Sequence, residues 1–286
     1  MNHSERTWEG IAPPADSAFL RFLYRTWIGR VLLKLLCARW ISKLCGAFLD
    51  CRFSKFLIKK FVRNNGIDLS NFESDNFQCF NDCFCRRIKD GLRPIDEDER
   101  ALIAPCDGLL SAYRIADGTV MPIKQSVYTV SSLLENEGLA ERFDGGICLV
   151  FRLCVDHYHR YCYPVTGTKG ENIFLKGKLH TVRPIALAAC PVFVQNCREY
   201  TLMETEAFGS VLQMEVGALL VGKIKNLHGA GDVWRGAEKG MFLYGGSTVI
   251  LLLEQGRVDL SKALFANTET GLETPVRMGE KIGIAK

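Results

Sequence analysis

With 286 residues, the chain can form one large domain, or a core domain with an appended helical segment. Apolar residues make up 48% and charged residues 24%, ordinary globular usage that excludes disorder as the default state. The formal net charge of +4 suits an anionic membrane surface, and no basic block interleaved with aromatics points to nucleic acid.

The first residues carry Glu5, Arg6 and Glu9 and then Pro13-Pro14, with no apolar run of the kind a secretory signal needs. Residues 16–63 read as helical. Phe19, Phe22, Leu23, Trp27, Val31 and Leu35 recur at spacings of three and four, which sets them on one stripe. Arg21, Arg25, Arg30, Lys34 and Arg39 are distributed among them. Arg30 and Lys34 interrupt the best apolar stretch, so it is too short to span a bilayer. Such a helix fits a membrane interface, and it fits equally a surface helix packed on its own domain.

Residues 64–100 read as a connector with short helices, opened by Asn64-Asn65-Gly66 and punctuated by Gly91 and Pro94. The acidic run Asp96–Glu99 reads as a solvated face. From residue 101 the pattern changes to short apolar runs separated by glycine-containing turns: Ile147–Leu153, Val211–Val216, Ala218–Ile224 and Thr248–Leu253. The fold class expected is therefore α+β. N-terminal amphipathic helices (1–100, with the connector) precede a β-rich sandwich or barrel-like catalytic core (101–286).

Twelve cysteines lack any C-x-x-C pair. Cys79-x-x-x-Cys83-x-Cys85 has no histidine near it, so reduced, buried thiols are expected and no metal.

Met241–Tyr244 and Thr248–Leu253 are two strand-like runs separated by Gly245-Gly246-Ser247. Alone, this reads as a hairpin with a glycine turn. The same tripeptide permits different chemistry. A serine hydroxyl can attack the carbonyl that precedes it, in an N-to-O acyl shift, and glycine on the acyl side leaves that carbonyl uncrowded. If the ester then eliminates, the serine becomes dehydroalanine, which hydrolyses to a pyruvoyl group at a new N-terminus.

Several segments, in order over about residues 40–255, resemble the phosphatidylserine decarboxylase family. They are Phe84-Cys-Arg-Arg-Ile-Lys-Asp-Gly-Leu-Arg-Pro-Ile95, Ala104-Pro-Cys-Asp107-Gly108, the Tyr158-His159-Arg160 stretch through Gly167, Met214–Ile224, and Gly240-Met-Phe-Leu-Tyr-Gly-Gly246-Ser247-Thr248. The resemblance implies cleavage between Gly246 and Ser247 into 1–246 and 247–286, held together by β-pairing, with a covalent pyruvoyl cofactor derived from Ser247. It implies a Schiff base with phosphatidylserine in an anionic membrane and loss of carbon dioxide, and the lack of a signal run favours a peripheral location on the cytoplasmic face. Homodimerisation is left open. Asp107 would belong to a charge relay that orients the base beside Ser247, and His159 would protonate the substrate Cα.

Many members carry a second histidine three residues after the first, and that position here is Cys162. Tyr-His-Arg-Tyr-Cys is itself similar to a sub-branch of the family from anaerobic bacteria. His159, His180 and a Cys162 of lowered pKa are the candidates for activating Ser247, with His159 preferred. His157 and His228 read as structural or solvent-facing. A pyruvoyl decarboxylase of a free amino acid and a non-enzymatic β-rich binding module remain the alternatives.

Overall fold

The computed structural model describes residues 8–13, 18–36, 39–117, 119–123, 126–177, 192–218, 223–243 and 247–286. Gly245, Gly246 and His180 lie outside these residues, as does most of the expected strand 218–224. The helices are α1 (Ala18–Arg25), α2 (Trp27–Leu36), α3 (Arg39–Leu49), α4 (Phe56–Asn64), α5 (Phe80–Phe84), α6 (Val130–Leu134), α7 (Glu137–Glu141), α8 (Val192–Gln195) and α9 (Lys262–Glu269).

The strands up to Thr205 are β1 (Ala101–Ile103), β2 (Gly108–Arg114), β3 (Thr119–Ile123), β4 (Ser126–Thr129), β5 (Ile147–Leu153), β6 (Arg160–Cys162), β7 (Gly167–Lys169), β8 (Ile173–Leu175) and β9 (Arg198–Thr205). Those that follow are β10 (Gly209–Val216), β11 (Lys223–Asn226), β12 (Gly231–Val233), β13 (Glu238–Leu243), β14 (Ser247–Leu253), β15 (Val258–Leu260), β16 (Thr274–Val276) and β17 (Lys281–Ala285). Helices precede and β-sheets follow, so the class is α+β.

A nine-stranded sheet runs β12-β7-β9-β10-β14-β5-β2-β16, with β8 on β9. Two three-stranded sheets, β11-β13-β6 and β1-β17-β15, and the β3-β4 pair complete the strands. β14 lies between β10 and β5, antiparallel to both, and every one of its seven residues is buried. A strand covered on both faces needs no polar alternation, which is why Thr248–Leu253 is a continuous apolar run. Gly240 lets β13 approach β11 closely, since a Cβ there would meet the Lys225 carbonyl oxygen at 2.3 Å.

The expected N-terminal stripe is divided. Helix α1 ends at Thr26, whose hydroxyl donates to the Phe22 carbonyl and accepts from the Gly29 amide. Leu23, Tyr24 and Leu33 join the same core as the strands. Trp27 (78% exposed), Ile28, Val31 and Leu32 face solvent instead. Leu44 and Phe48 of α3, then Phe53 and Phe56, continue this exposed apolar surface. Arg21, Arg25, Arg30, Lys55 and Lys59 are exposed as well. Among the described residues, no helix is long and apolar enough to cross a membrane.

Candidate active site

The two strands flanking Gly245-Gly246 are not partners. β13 pairs with β11 and β6, whereas β14 pairs with β10 and β5. The simple hairpin is therefore not formed, and the chain passes from one sheet to another across this peptide. Ser247 opens β14, is fully buried, and lies opposite Leu153, the last residue of β5. Among the described residues, its Oγ has no hydrogen-bond partner. The neighbouring Thr248 Oγ1 is also buried without one. Buried hydroxyls are normally satisfied, so an orphan nucleophile on a central strand calls for a functional reason.

Beyond Leu153 the chain turns tightly before entering β6. The Cys154 amide donates to His157 Nδ1 at 3.1 Å, and the His157 amide donates to the Cys154 carbonyl at 3.1 Å. His159 follows, fully buried, with Nδ1 2.9 Å from the His157 carbonyl oxygen. A carbonyl can only accept, so Nδ1 carries the proton and Nε2 presents its lone pair. Among the described residues, that Nε2 has no partner. The Phe84 ring lies on the imidazole at 4.0 Å between centroids. Burial, with the Arg86 charge next, holds the His159 pKa well below its ordinary value, so the ring is neutral near pH 7. A bare, neutral, buried imidazole nitrogen is the form a general base requires.

Strand alternation separates Cys162 from this set. His159 and Tyr161 project to one side of the β6 segment, and Arg160 and Cys162 to the other. Cys162 packs with Ala101 and Ile103, and burial pushes its thiol up to about 12. It is a protonated apolar residue, unsuited to act as a thiolate base.

Asp107 precedes β2 and is nearly buried. Arg93 Nε donates to its Oδ1 at 2.7 Å, and Arg93 Nη2 to its Oδ2. The Met278 amide donates to Oδ1 at 2.9 Å. Among the described residues, no imidazole hydrogen-bonds to this carboxylate. Asp107 and Asp156 both favour the charged form of His157, against a larger lowering by burial.

Arg86, Phe84 and Arg93 were not singled out for roles by the sequence, although all three lie in the Phe84–Ile95 segment. Arg86 Nη2 donates to the carbonyls of Asp156 at 2.9 Å and His157 at 3.2 Å. The contact of His157 to the site is through its backbone oxygen, which no residue type announces.

Two clusters resemble metal sites. Ligand atoms of Cys154, Asp156 and His157 lie within 4.8 Å of one another. Two of the three are already engaged, because His157 Nδ1 accepts the Cys154 amide and Arg152 Nη1 donates to the Cys154 sulfur. Cys83 and Cys85 sit in an apolar cluster, and burial pushes their thiols up to about 11 and about 12. Neither offers a thiolate.

The fold and site together define a β-rich core with a buried serine at a sheet-to-sheet crossing and a buried, neutral histidine. A sequence profile of the phosphatidylserine decarboxylase family matches residues 80–284. The chain is 42% identical over 265 residues to a phosphatidylserine decarboxylase proenzyme 2 of Clostridium acetobutylicum, covering 92% of this chain and 91% of that one. It is 39% identical over 290 residues to a phosphatidylserine decarboxylase proenzyme of Clostridium kluyveri, covering 99% and 98%. A proenzyme of the same name from Ruminiclostridium cellulolyticum is 39% identical over 275 residues, covering 94% and 92%. The chain belongs to the phosphatidylserine decarboxylase family, a family of decarboxylases.

Proposed function

We propose that the chain is a self-processing decarboxylase that converts phosphatidylserine to phosphatidylethanolamine and carbon dioxide. The observation that carries this reading is a pair of orphaned atoms: Ser247 Oγ and His159 Nε2 are both buried and, among the described residues, both without a partner. The relatives named as phosphatidylserine decarboxylase proenzymes support the substrate and the processing.

In the first stage, His159 Nε2 accepts the Ser247 hydroxyl proton while Oγ attacks the Gly246 carbonyl carbon. The Gly246–Ser247 C–N bond breaks as its nitrogen gains a proton, leaving an ester. Loss of the Ser247 Cα proton then expels residues 1–246 as a carboxylate and leaves dehydroalanine at 247. Water adds and ammonia departs, giving the pyruvoyl terminus. The site fits this group, because Ser247 lies at the buried start of a central strand.

Once formed, the pyruvoyl group supplies Schiff-base chemistry, an electron sink for the bond to the departing carboxylate. His159 Nε2 would accept the proton that the substrate ammonium sheds on condensing and hand it to the substrate Cα. Asp107 acts one step further out, clamping Arg93 and the Met278 amide.

Residues 247–286 contribute β14, flanked by β10 and β5, β16 on β2, and β17 on β1. Such pairing holds both fragments together after cleavage. The exposed Trp27, Ile28, Phe53 and Phe56, with their basic neighbours, support a peripheral location on an anionic cytoplasmic membrane face.

Denaturing mass spectrometry tests the reading directly. A fragment spanning 247–286 with a pyruvoyl N-terminus is expected, and Ser247→Ala should abolish it. An intact wild-type chain after prolonged incubation refutes the proposal. Release of carbon dioxide from free serine but not from phosphatidylserine vesicles would instead assign a soluble amino-acid substrate.

A further inference from the structure

Arg86 is a buried guanidinium that the chemistry above leaves unused. It is 3% exposed. Among the described residues, no carboxylate lies within ion-pair distance of it. Its partners are backbone carbonyls: Cys83 at 3.4 Å, Asp156 at 2.9 Å and His157 at 3.2 Å. Its Nε has none. The Phe72 ring lies 4.5 Å from its carbon Cζ. Burying a cation in this way is costly, and carbonyl contacts offset only part of the desolvation.

One of those carbonyls is shared. The His157 oxygen receives both Arg86 Nη2 and His159 Nδ1–H. We infer that Arg86 is a positioning residue for His159, clamping the carbonyl that fixes its tautomer and setting a positive charge against protonation of the ring. This rests on the reading of His159 as the base for Ser247.

Both effects favour a bare Nε2: the clamp holds the proton on Nδ1, and the Arg86 charge outweighs the carbonyl bond's own pull toward imidazolium. A carbonyl free to rotate could leave Nδ1, and the ring could then carry its proton on Nε2, where it blocks the attack. With the carbonyl pinned by Arg86, the proton stays on Nδ1. The charged and titratable groups acting on His159 are Arg86 from the segment after α5 and His157 from the preceding turn, both disfavouring imidazolium. The Phe84 ring covers the imidazole and adds no charge. Neutral, correctly tautomerised His159 is thus available without a carboxylate hydrogen-bonded to it.

Self-cleavage of freshly translated chain, chased over a range of pH and read by denaturing mass spectrometry, tests this. The wild-type rate should rise through a midpoint where His159 loses its proton. In Arg86→Gln the midpoint should move upward by about one pH unit, and the plateau should fall about tenfold as the wrong tautomer gains population. Arg86→Lys should restore the midpoint. Lower plateaus in both variants with unmoved midpoints would mean that Arg86 is merely structural, and would overturn the inference.

Nitrogen NMR of histidine-labelled Ser247→Ala protein reads the tautomer without any change at Arg86. Nδ1–H with a bare Nε2 is expected at His159. A dominant Nε2–H tautomer would overturn the inference even if Arg86→Gln does not fold. Failure of the underlying reading looks different: His159→Gln would then cleave at the wild-type rate.

Discussion

Lys239 places its ammonium 2.6 Å from the Glu215 carboxylate, and both side chains are sealed from solvent. Asn226 bridges them, accepting from Lys239 at 3.0 Å and donating to Glu215 at 3.2 Å. The Tyr161 hydroxyl donates to the same Asn226 oxygen at 3.2 Å. Glu215 lies opposite Val249 in the β10–β14 register, so it shares a sheet face with Ser247, which is two residues along. Removing one member leaves the other charged and buried. Lys239→Met should therefore destabilise Ser247→Ala protein by about 3–5 kcal/mol in urea unfolding. The Glu215→Leu/Lys239→Met double variant should recover most of that loss. Equal losses in single and double variants would refute the coupling.

His159 also makes stability depend on pH. Burial lowers its folded pKa well below the unfolded value, and burial lowers that of His157 as well. Between the folded and unfolded values the unfolded chain binds more protons. The contribution is therefore fully present above the unfolded pKa and is lost as pH falls below about 6.5. In Ser247→Ala protein, unfolding free energy should drop on acidification through this window. His159→Gln should flatten the slope by up to about 1.4 kcal/mol per pH unit. An unchanged slope in that variant would show that His159 is not buried in its neutral form.

Cys162 follows His159 by three residues, and its environment is apolar. With its thiol pushed up to about 12 and its side chain against Ala101 and Ile103, it has no accessible thiolate. Cys162→Ala should leave the self-cleavage rate within about twofold of wild type. Stability should fall by about 1 kcal/mol for the small cavity. A loss of cleavage in a folded Cys162→Ala chain would return the thiol to the list of bases.

Much of the core was legible because long central strands have an unmistakable composition. Ile147–Leu153 is β5 as expected, Val211–Val216 lies within β10, and Thr248–Leu253 within β14. All three are buried almost throughout, so their apolar runs are continuous. Three-residue strands such as β7 and β12 carry no periodicity to detect. That Gly245-Gly246 does not close a simple hairpin leaves no mark in the sequence, because adjacency does not reveal that β13 and β14 enter different sheets. Ser247 and His159 were legible as motif residues. The Arg93–Asp107 pair was not, since a bidentate contact across a connector has no spacing rule. The Arg86–His157–His159 link runs through a backbone oxygen and leaves no mark in residue type.

The exposed apolar surface should bind bilayers. Trp27 and Ile28 are 78% and 65% exposed, and Phe53 and Phe56 are 82% and 71%. Inserting one such side chain is worth about 1.5–3 kcal/mol. Trp27→Ser/Ile28→Ser should therefore weaken sedimentation with anionic vesicles by at least tenfold, that is by at least about 1.4 kcal/mol. Deleting residues 1–40 should reduce vesicle binding more than self-cleavage. Added salt should weaken binding further, since Arg21, Arg25 and Arg30 lie on exposed positions. Equal vesicle binding by the truncated and full chains would remove this surface from the account.

Arg152 and Glu273 join the two fragments that cleavage would create. Arg152 Nε donates to Glu273 Oε1 at 2.8 Å, and Nη2 donates to Oε2, a bidentate pair almost closed to solvent. Glu273 also exchanges both backbone hydrogen bonds with Ile11, at 2.8 and 3.0 Å. The pair thus ties β5 and the N-terminal segment to residues 247–286. Glu273→Ala removes the carboxylate and leaves Arg152 buried with, among the described residues, only the Cys154 sulfur at 3.3 Å. The expected loss is about 3–5 kcal/mol. Because cleavage removes the covalent link, that loss should appear as fragment separation. In the processed protein, size-exclusion chromatography in urea should show residues 247–286 dissociating at lower denaturant in Glu273→Ala than in wild type. The uncleaved Ser247→Ala/Glu273→Ala chain should lose stability without releasing any fragment. Glu273→Asp keeps the charge but shortens the reach, so it should fall between the two. Coincident dissociation curves for wild type and Glu273→Ala would show that strand pairing by β14, β16 and β17 alone holds the fragments together.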